Sequence, residues 1–310
     1  MIRNITTLLA VGLLGVGCGP PPSPRTEKPP VAARAVVPEA VLREANRVTL
    51  GAPLAVAVDF GGVAFVADAS PGRLVAFNRV SKQSQEFQAP SNRPGFYPTD
   101  VAVRGFFVYA IDEPGRLLLR FDNSGTYRDI LLNFEGLADG RRVSPFGLAV
   151  DGAGRVAVTD VENHQVILFG NFLQVEVSFG NYGTYAGQLD TPQGVSFTPA
   201  GDLLVADTGN ARLQIFDDCG AFKRVIPAKG KDNPLVRPRR AVMAEGGRVF
   251  VADPEAGRVF EFGADGSLHE AYVPAASPTG FEPTDVEITR DGWMYVTDTA
   301  TRSLYVFKVM

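Results

Sequence analysis

The sequence contains few of the residues that disulfides and metal sites require. Among its 310 residues there are two cysteines, Cys18 and Cys219, and two histidines, His164 and His269. Two cysteines cannot build a disulfide framework, and a catalytic zinc site normally takes three protein ligands. The composition therefore argues against a disulfide-stapled domain and against a zinc enzyme, and we expect no cofactor.

The chain also lacks an excess of positive charge and any long helical pattern. Its formal net charge is −4, whereas proteins that bind nucleic acid usually carry a basic patch. With 45% hydrophobic residues, 33 glycines and 23 prolines, it can bury a large core made of short strands and tight turns. We expect an all-β protein that does not bind nucleic acid and is a monomer.

The chain is organised by a unit that is written six times. Each copy has a proline, a short apolar strand, a turn, a strand ending in aspartate, a polar corner and a strand ending in phenylalanine. Successive aspartates are 44 to 48 residues apart, and each lies nine residues before its phenylalanine. The anchors are Pro53/Asp68/Phe77, Pro98/Asp112/Phe121, Pro145/Asp160/Phe169, Pro192/Asp207/Phe216, Pro238/Asp253/Phe262 and Pro283/Asp298/Phe307. This period, built from strands and turns, predicts a propeller.

The sequence predicts a six-bladed β-propeller of four-stranded antiparallel blades. Fourth strands follow the phenylalanine in five copies, but the chain stops at Met310, three residues after Phe307. We therefore expect an N-terminal strand to close the ring, because closure removes open sheet edges. The segment that matches best is 46–51 (NRVTLG), which is similar to 176–180 (EVSFG).

The N-terminus reads as an export signal. Arg3 precedes a mostly apolar run, Ile5 to Val16, which is shorter than the roughly 20 residues of a membrane-spanning helix. The run ends at 14–18 (LGVGC), which resembles the lipobox of bacterial lipoproteins, with Gly15 at the position where that family prefers leucine. The resemblance implies cleavage before Cys18 and lipidation of its sulfur; the alternative is an ordinary secretory signal with an incidental cysteine.

These segments suggest four regions. Residues 1–17 are a lipoprotein signal peptide, 18–30 a proline-rich tether, 31–45 a segment of uncertain structure, and 46–310 the propeller. Prolines keep the tether extended and semi-rigid. The residue after the cysteine is Gly19 and not an aspartate. In proteobacterial lipoproteins, this resembles the sequence pattern of proteins that are sorted to the outer membrane. The resemblance implies a location in the bacterial cell envelope, with the outer membrane favoured.

The repeat resembles the NHL repeat, and six copies resemble the six-bladed NHL propeller. The match lies in the initial proline, the aspartate that ends the second strand, and the corner after it. Residues 160–165 (DVENHQ) and 207–212 (DTGNAR) are the copies closest to the family's Asp-x-x-Asn-His-Arg corner, while the first, second and fifth copies depart from it. The six aspartates occupy one register, so we expect them to accept backbone N–H groups rather than to react.

A ring of residues after each proline should surround one mouth of the axial channel. Its charged members are Asp100, Arg239, Arg240 and Asp285, which form a candidate binding site. Lactonase relatives among six-bladed propellers hold calcium at the axis, but two carboxylates facing two arginines offer too few oxygen ligands for calcium. We expect no metal, and Asp100 farther from the arginines than Asp285. Cys219 is expected to be a free turn thiol.

Two functional hypotheses remain open. The first is a non-enzymatic, lipid-anchored binding or scaffold module whose partner is an envelope protein, a peptide or a glycan. Its longer inter-repeat loops, 89–97, 135–144, 181–191 and 228–237, are the expected recognition elements. The second is a metal-dependent hydrolase or lactonase with its site at the channel mouth.

Overall fold

The computed structural model describes residues 32–42, 44–45, 48–88, 91, 95–137, 140, 142–227, 232–275 and 280–309. The signal peptide, Cys18 and the tether lie outside these residues. Within the described residues, no helix has the length and apolar character needed to cross a bilayer.

The chain folds into six four-stranded antiparallel blades, which confirms the predicted fold class. The strands of the first three blades run from the innermost to the outermost as follows: β5 (Pro53–Val58), β6 (Val63–Asp68), β7 (Arg73–Asn78), β8 (Ser84–Phe87); β9 (Pro98–Arg104), β10 (Phe107–Asp112), β11 (Leu117–Asp122), β12 (Tyr127–Asn133); β13 (Pro145–Val150), β14 (Val156–Asp160), β15 (Gln165–Phe169), β16 (Val175–Phe179).

The last three blades follow the same plan. Their strands are β17 (Val195–Phe197), β18 (Leu203–Asp207), β19 (Arg212–Phe216), β20 (Phe222–Ile226); β21 (Arg240–Met243), β22 (Val249–Asp253), β23 (Arg258–Phe262), β24 (Leu268–Pro274); β25 (Pro283–Ile288), β26 (Trp293–Asp298), β27 (Ser303–Lys308). Two short 3-10 turns, Phe134–Gly136 and Thr208–Asn210, interrupt the connections.

An N-terminal strand closes the ring, as expected, but it is not the segment that the sequence suggested. The outermost strand of blade 6 is β2 (Ala40–Leu42), which pairs antiparallel with β27. β1 (Arg34–Val36) adds a fifth strand to blade 5 by pairing parallel with β24. The prediction that 46–51 closes the ring is wrong: Val48–Thr49 (β4) pairs with Glu44–Ala45 (β3) in a separate two-stranded sheet.

The reason lies in the connection lengths. In the other blades, 8 to 12 residues separate the end of the outermost strand from the proline of the next blade. Leu42 precedes Pro53 by a comparable distance, whereas Thr49 is only four residues from it. Gly51 and Ala52 are also held to blade 1, because their N–H groups donate to the Asp68 carboxylate at 3.0 and 2.7 Å. The chain around Val48 is thus tied to blade 1 and cannot lie along the edge of blade 6.

Six apolar clusters form the core, one between each pair of neighbouring blades. The repeated phenylalanines are buried in them: Phe77, Phe121, Phe169, Phe216, Phe262 and Phe307. The alternation of side chains along each strand places every second residue against the blade on one side and the others against the blade on the other. Burial of apolar area between blades is therefore the main force that holds the ring together.

The six repeated aspartates have the structural role that was predicted. All are buried, and each accepts a hydrogen bond from a backbone N–H in the loop before its own blade's first strand. The donors are Ala52, Tyr97, Ser144, Asp190, Val236 and Glu282, at 2.7 to 3.2 Å. A buried carboxylate that accepts hydrogen bonds from backbone N–H groups holds a loop in place where the loop has no sheet hydrogen bonds of its own.

Candidate functional site

The two faces of the propeller are built differently. The loop face carries the corners after the repeated aspartates and the connections between blades, including the four longer loops 89–97, 135–144, 181–191 and 228–237. The turn face carries the short turns that join first to second and third to fourth strands. The expected recognition loops therefore share one face, because all four connect an outermost strand to the next innermost one.

Loop 181–191 is described throughout and is held in a defined conformation. The Arg212 guanidinium donates to the carbonyl oxygens of Thr184, Tyr185 and Gln188 at 2.7 to 3.0 Å. The Gln214 side chain also donates to the Gln188 carbonyl, at 2.6 Å. These contacts leave Tyr185 79% exposed. Because the loop backbone is already held in place, binding through the exposed Tyr185 ring would cost little conformational entropy.

At the axis, the loop-face mouth is closed by three charged residues, which we call the clamp cluster: Asp100, Arg240 and Asp285. Each lies two positions after the proline of its repeat, and all three are buried, at 5%, 8% and 2% exposed respectively. Arg240 Nη1 contacts Asp100 Oδ2 at 2.9 Å, and Nε lies 3.5 Å from Asp285 Oδ1. The space left at this mouth is about 10 Å³, close to the volume available to one water molecule.

Backbone donors complete the clamp cluster. Asp100 accepts from the N–H groups of Val101 and Leu148, at 2.7 and 2.6 Å. Asp285 accepts from those of Val56 and Val286, at 2.9 and 2.6 Å. Since Leu148 and Val56 belong to the blades that follow, each aspartate links its own blade to the next.

Burial dominates the electrostatics of the clamp cluster. It raises the pKa of Asp285 to about 7, against the opposing effect of Arg240. It also raises the pKa of Asp100, which Arg240 and the two backbone donors oppose. Although burial lowers the pKa of Arg240, the carboxylates of Asp100 and Asp285 raise it overall. The hydrogen bonds favour Asp100 as the ionised partner of Arg240, with Asp285 taking up a proton near neutrality.

One expectation about this mouth is wrong. Asp100 is not remote from the arginines, because Arg240 reaches across the axis and binds it more closely than Asp285. Both Arg–Asp contacts are buried. Arg239 lines the same mouth, but it is half-buried and its guanidinium lies 5.0 Å from the Phe146 ring rather than in an ion pair.

The structure also shows a functional candidate that sequence reasoning missed. A cavity of about 190 Å³ lies at the turn-face end of the axis, beyond Arg240. It is lined by the residues four positions after each repeat's proline: Ala57, Ala102, Ala149, Ser196, Val242 and Glu287. Five are small or apolar, and Glu287 alone is acidic. Aligning the six repeats on their prolines would have revealed this exception.

The residues at the axis do not fit a calcium ion. Calcium takes six to eight oxygen ligands, but the carboxylate oxygens of Asp100 and Asp285 already accept backbone N–H groups, with a guanidinium between them. Within the described residues, three potential ligands converge only at Asp217, Asp218 and Cys219, which are consecutive residues of a turn. The clamp cluster therefore reads as a structural ion pair.

The histidines and Cys219 lie away from the axis. His164 Nδ1 accepts a hydrogen bond from the Thr191 N–H at 2.9 Å, and its ring packs against Tyr182. His269 lies on the outermost strand of blade 5 and is exposed. Cys219 is exposed and free, and the carboxylates of Asp218 and Asp217 raise its pKa, which disfavours the nucleophilic thiolate.

Known proteins resemble this chain in part of its sequence and in its fold. The NHL repeat family matches residues 189–216, the copy in which both Asn210 and Arg212 bond to Asp207. "Protein brain tumor" of Drosophila melanogaster is 42% identical over 77 residues, which is 24% of this chain and 7% of that protein. The chain thus spans a small fraction of this curated relative.

The structural neighbours share the fold at low identity. A gluconolactonase from Xanthomonas campestris has a TM-score of 0.64 at 16% identity, covering 90% of this chain and 99% of that one. A catalytically inactive histidine-to-alanine variant of virginiamycin B lyase from Staphylococcus aureus, with quinupristin, has a TM-score of 0.62 at 10% identity, covering 87% and 99%. Similarity at this level shows the architecture alone. Together with its repeats, it shows that the chain is a six-bladed β-propeller, one repeat of which, residues 189–216, matches the NHL repeat family.

Proposed function

We propose that this protein is a non-enzymatic binding or scaffold module that presents its loop face to a protein, peptide or glycan partner. One observation carries the proposal: on the face that bears the long loops, the buried clamp cluster closes the axis. A substrate pocket has no room there, which leaves the loops of this face as the proposed recognition surface. Loop 181–191, which Arg212 holds in place, is the recognition loop that the structure describes throughout.

The alternative is a metal-dependent hydrolase or lactonase. The support for this alternative is that the chain has the same architecture as the gluconolactonase. That similarity concerns the fold only. The guanidinium at the axis and the position of both histidines argue against it. Lactone hydrolysis that a chelator abolishes would favour the enzyme over the binding module.

Substitution of exposed aromatic residues tests the binding face. We expect Tyr185→Ser on the loop face to weaken partner capture by about fivefold or more, because exposed tyrosines often anchor interfaces. Phe172→Ser is the matched control, since Phe172 is 86% exposed on the turn face. Capture would be measured by crosslinking the full-length protein in its own membranes, followed by quantitative pull-down. Equal losses for both variants, or a loss for Phe172→Ser alone, would contradict the proposal.

We further propose that Cys18 is lipidated and anchors the protein to the outer membrane of a bacterial envelope. The support is the lipobox-like run and the proline-rich segment after it. Two or three acyl chains would give firm attachment, since each buried CH₂ contributes about 0.8 kcal/mol. Cys18→Ser should abolish acylation and shift the protein from the detergent fraction to an uncleaved or soluble form. Mass spectrometry of the native N-terminus provides the check, and a mature protein without acyl mass would contradict the proposal.

A further inference from the structure

The axial cavity on the turn face has the features of a built binding site. In a six-fold arrangement, residues at one repeat position form a ring around the axis, and here the ring four positions after each proline is small or apolar except at Glu287. The small side chains leave the space of about 190 Å³. Glu287 is the one carboxyl group of this ring, and the Ser196 hydroxyl and the Arg240 guanidinium are the other polar groups that line the space.

Glu287 has no structural function among the described residues that would account for it. It makes no hydrogen bond and no ion pair within hydrogen-bonding distance, whereas Asp285, on the same face of the same strand, accepts two backbone N–H groups. Arg240 forms the closed end of the cavity, and its buried Nε also lacks a hydrogen-bond partner. Glu287 is half-buried, so its carboxyl group is open to water or to a ligand in the cavity, and the protein itself supplies no hydrogen bond to it.

The charge of the channel indicates the ligand. Three carboxyl groups, those of Asp100, Asp285 and Glu287, lie near two guanidinium groups at the axis, those of Arg240 and Arg239, so acid still exceeds base there. Burial, with Asp285 and Asp100 adding to it and Arg240 opposing it, raises the pKa of Glu287 to about 8. A bound cation at Glu287 would replace the proton that it otherwise retains. Because these carboxylates do not converge within metal-ligand distance, a metal ion fits less well than a cation that needs one carboxylate.

We propose that the axial cavity binds a small alkylammonium ion, with its ammonium group on the Glu287 carboxylate and its carbon chain against the alanine and valine side chains of the ring. The cavity is smaller than ordinary drug-sized pockets, so the ligand has few heavy atoms. The site lies on the turn face and is therefore separate from the proposed partner surface on the loop face.

The proposal can be tested by calorimetry on the full chain with ethanolammonium chloride. Its ammonium group can reach Glu287, and its hydroxyl oxygen can accept at the Arg240 end. We expect a dissociation constant on the order of 1 mM, typical of so small a ligand. Affinity should rise about tenfold or more between roughly pH 6.5 and 8.5, since Glu287 ionises in this range while alkylammonium ions stay largely protonated.

Matched variants and probes make the test specific. Glu287→Gln should weaken binding at least about tenfold and reduce the pH dependence to the smaller part that Asp285 contributes, whereas Glu245→Gln, on an exposed turn of the same face, should change neither the affinity nor its pH dependence. Ala102→Leu should block binding by filling the cavity without altering its charge. Ethylene glycol, which replaces the ammonium with a hydroxyl, and calcium chloride should not bind there.

Several outcomes would overturn the proposal. The first is that ethanolammonium and ethylene glycol bind with equal affinity. The second is that the Glu287→Gln variant binds ethanolammonium as tightly as the native protein does. The third is that the affinity for ethanolammonium falls as the pH rises. No detectable binding at about pH 8.5 and tens of millimolar ligand would do the same. A calcium affinity that depends on Glu287 would replace the organic cation with a metal.

Discussion

Replacing Arg240 with methionine is expected to destabilise the protein by about 3–5 kcal/mol near neutral pH, the usual cost of removing one partner from a buried ion pair. Methionine has a similar length, so packing changes little. The buried carboxyl groups of Asp100 and Asp285 lose their shared cation and can avoid an unpaired charge only by taking up protons. The free energy of unfolding can be measured by urea denaturation.

The neighbouring arginine provides the control. Arg239 is half-buried and contacts the Phe146 ring rather than a carboxylate, so Arg239→Met should cost about 1 kcal/mol or less. Equal losses for the two variants would show that the clamp cluster has no special importance. A native-like stability of Arg240→Met would show that the carboxyl groups do not depend on Arg240.

The cost of Arg240→Met should also depend on pH. In the folded native protein the pKa of Asp285 is about 7, above the value of 3.8 for an unperturbed aspartate. A raised folded pKa means that the folded state holds the proton more tightly, so this stabilisation is complete below about pH 4 and is lost as the pH rises through 7. Removing Arg240 raises the carboxyl pKa values further. The deficit of the variant should therefore grow as the pH rises from about 6 through 8, because the native Asp285 ionises there while the variant's stays protonated.

Deleting the chain through Leu42 is expected to cost about 5 kcal/mol and to promote aggregation. This deletion removes the pairing of Ala40–Leu42 with β27 and the apolar contacts of Leu42, which is 2% exposed. The estimate combines backbone hydrogen bonds at about 1 kcal/mol each with about 2–3 kcal/mol for the buried leucine. The exposed edge of β27 could then pair with other chains. Thermal unfolding and light scattering would report both effects.

A shorter deletion and two point variants serve as controls. Deletion through Pro30 leaves the closing strand in place and should have little effect. Leu42→Ala should cost about 2–4 kcal/mol, as for other buried leucines. Val41→Ala, at a position in the same strand that is 43% exposed, should cost about 1 kcal/mol or less. If deletion through Leu42 is as silent as deletion through Pro30, the ring is closed by another segment.

The sequence determined the blade number, the blade plan and the positions of the anchors. These features repeat locally, because one blade is a meander whose register is fixed by the alternation of side chains and by the aspartate after its second strand. The same repetition placed the four long loops on one face. The spacing between the outermost strand and the next proline also held the information that β2 closes the ring, although similarity to 176–180 pointed to the wrong segment.

Only the tertiary structure decided which residues meet at the axis. Asp100 and Arg240 are 140 residues apart, and whether they touch depends on how far each blade leans toward the centre and how long each side chain is. Burial of the clamp cluster follows from that geometry, and with it the raised pKa of Asp285. In the sequence, Glu287 is the one acidic residue at the fourth position after the six prolines. That these six positions enclose a cavity with Arg240 at its closed end is decided by the tertiary structure, because six strands distant in sequence surround one axis.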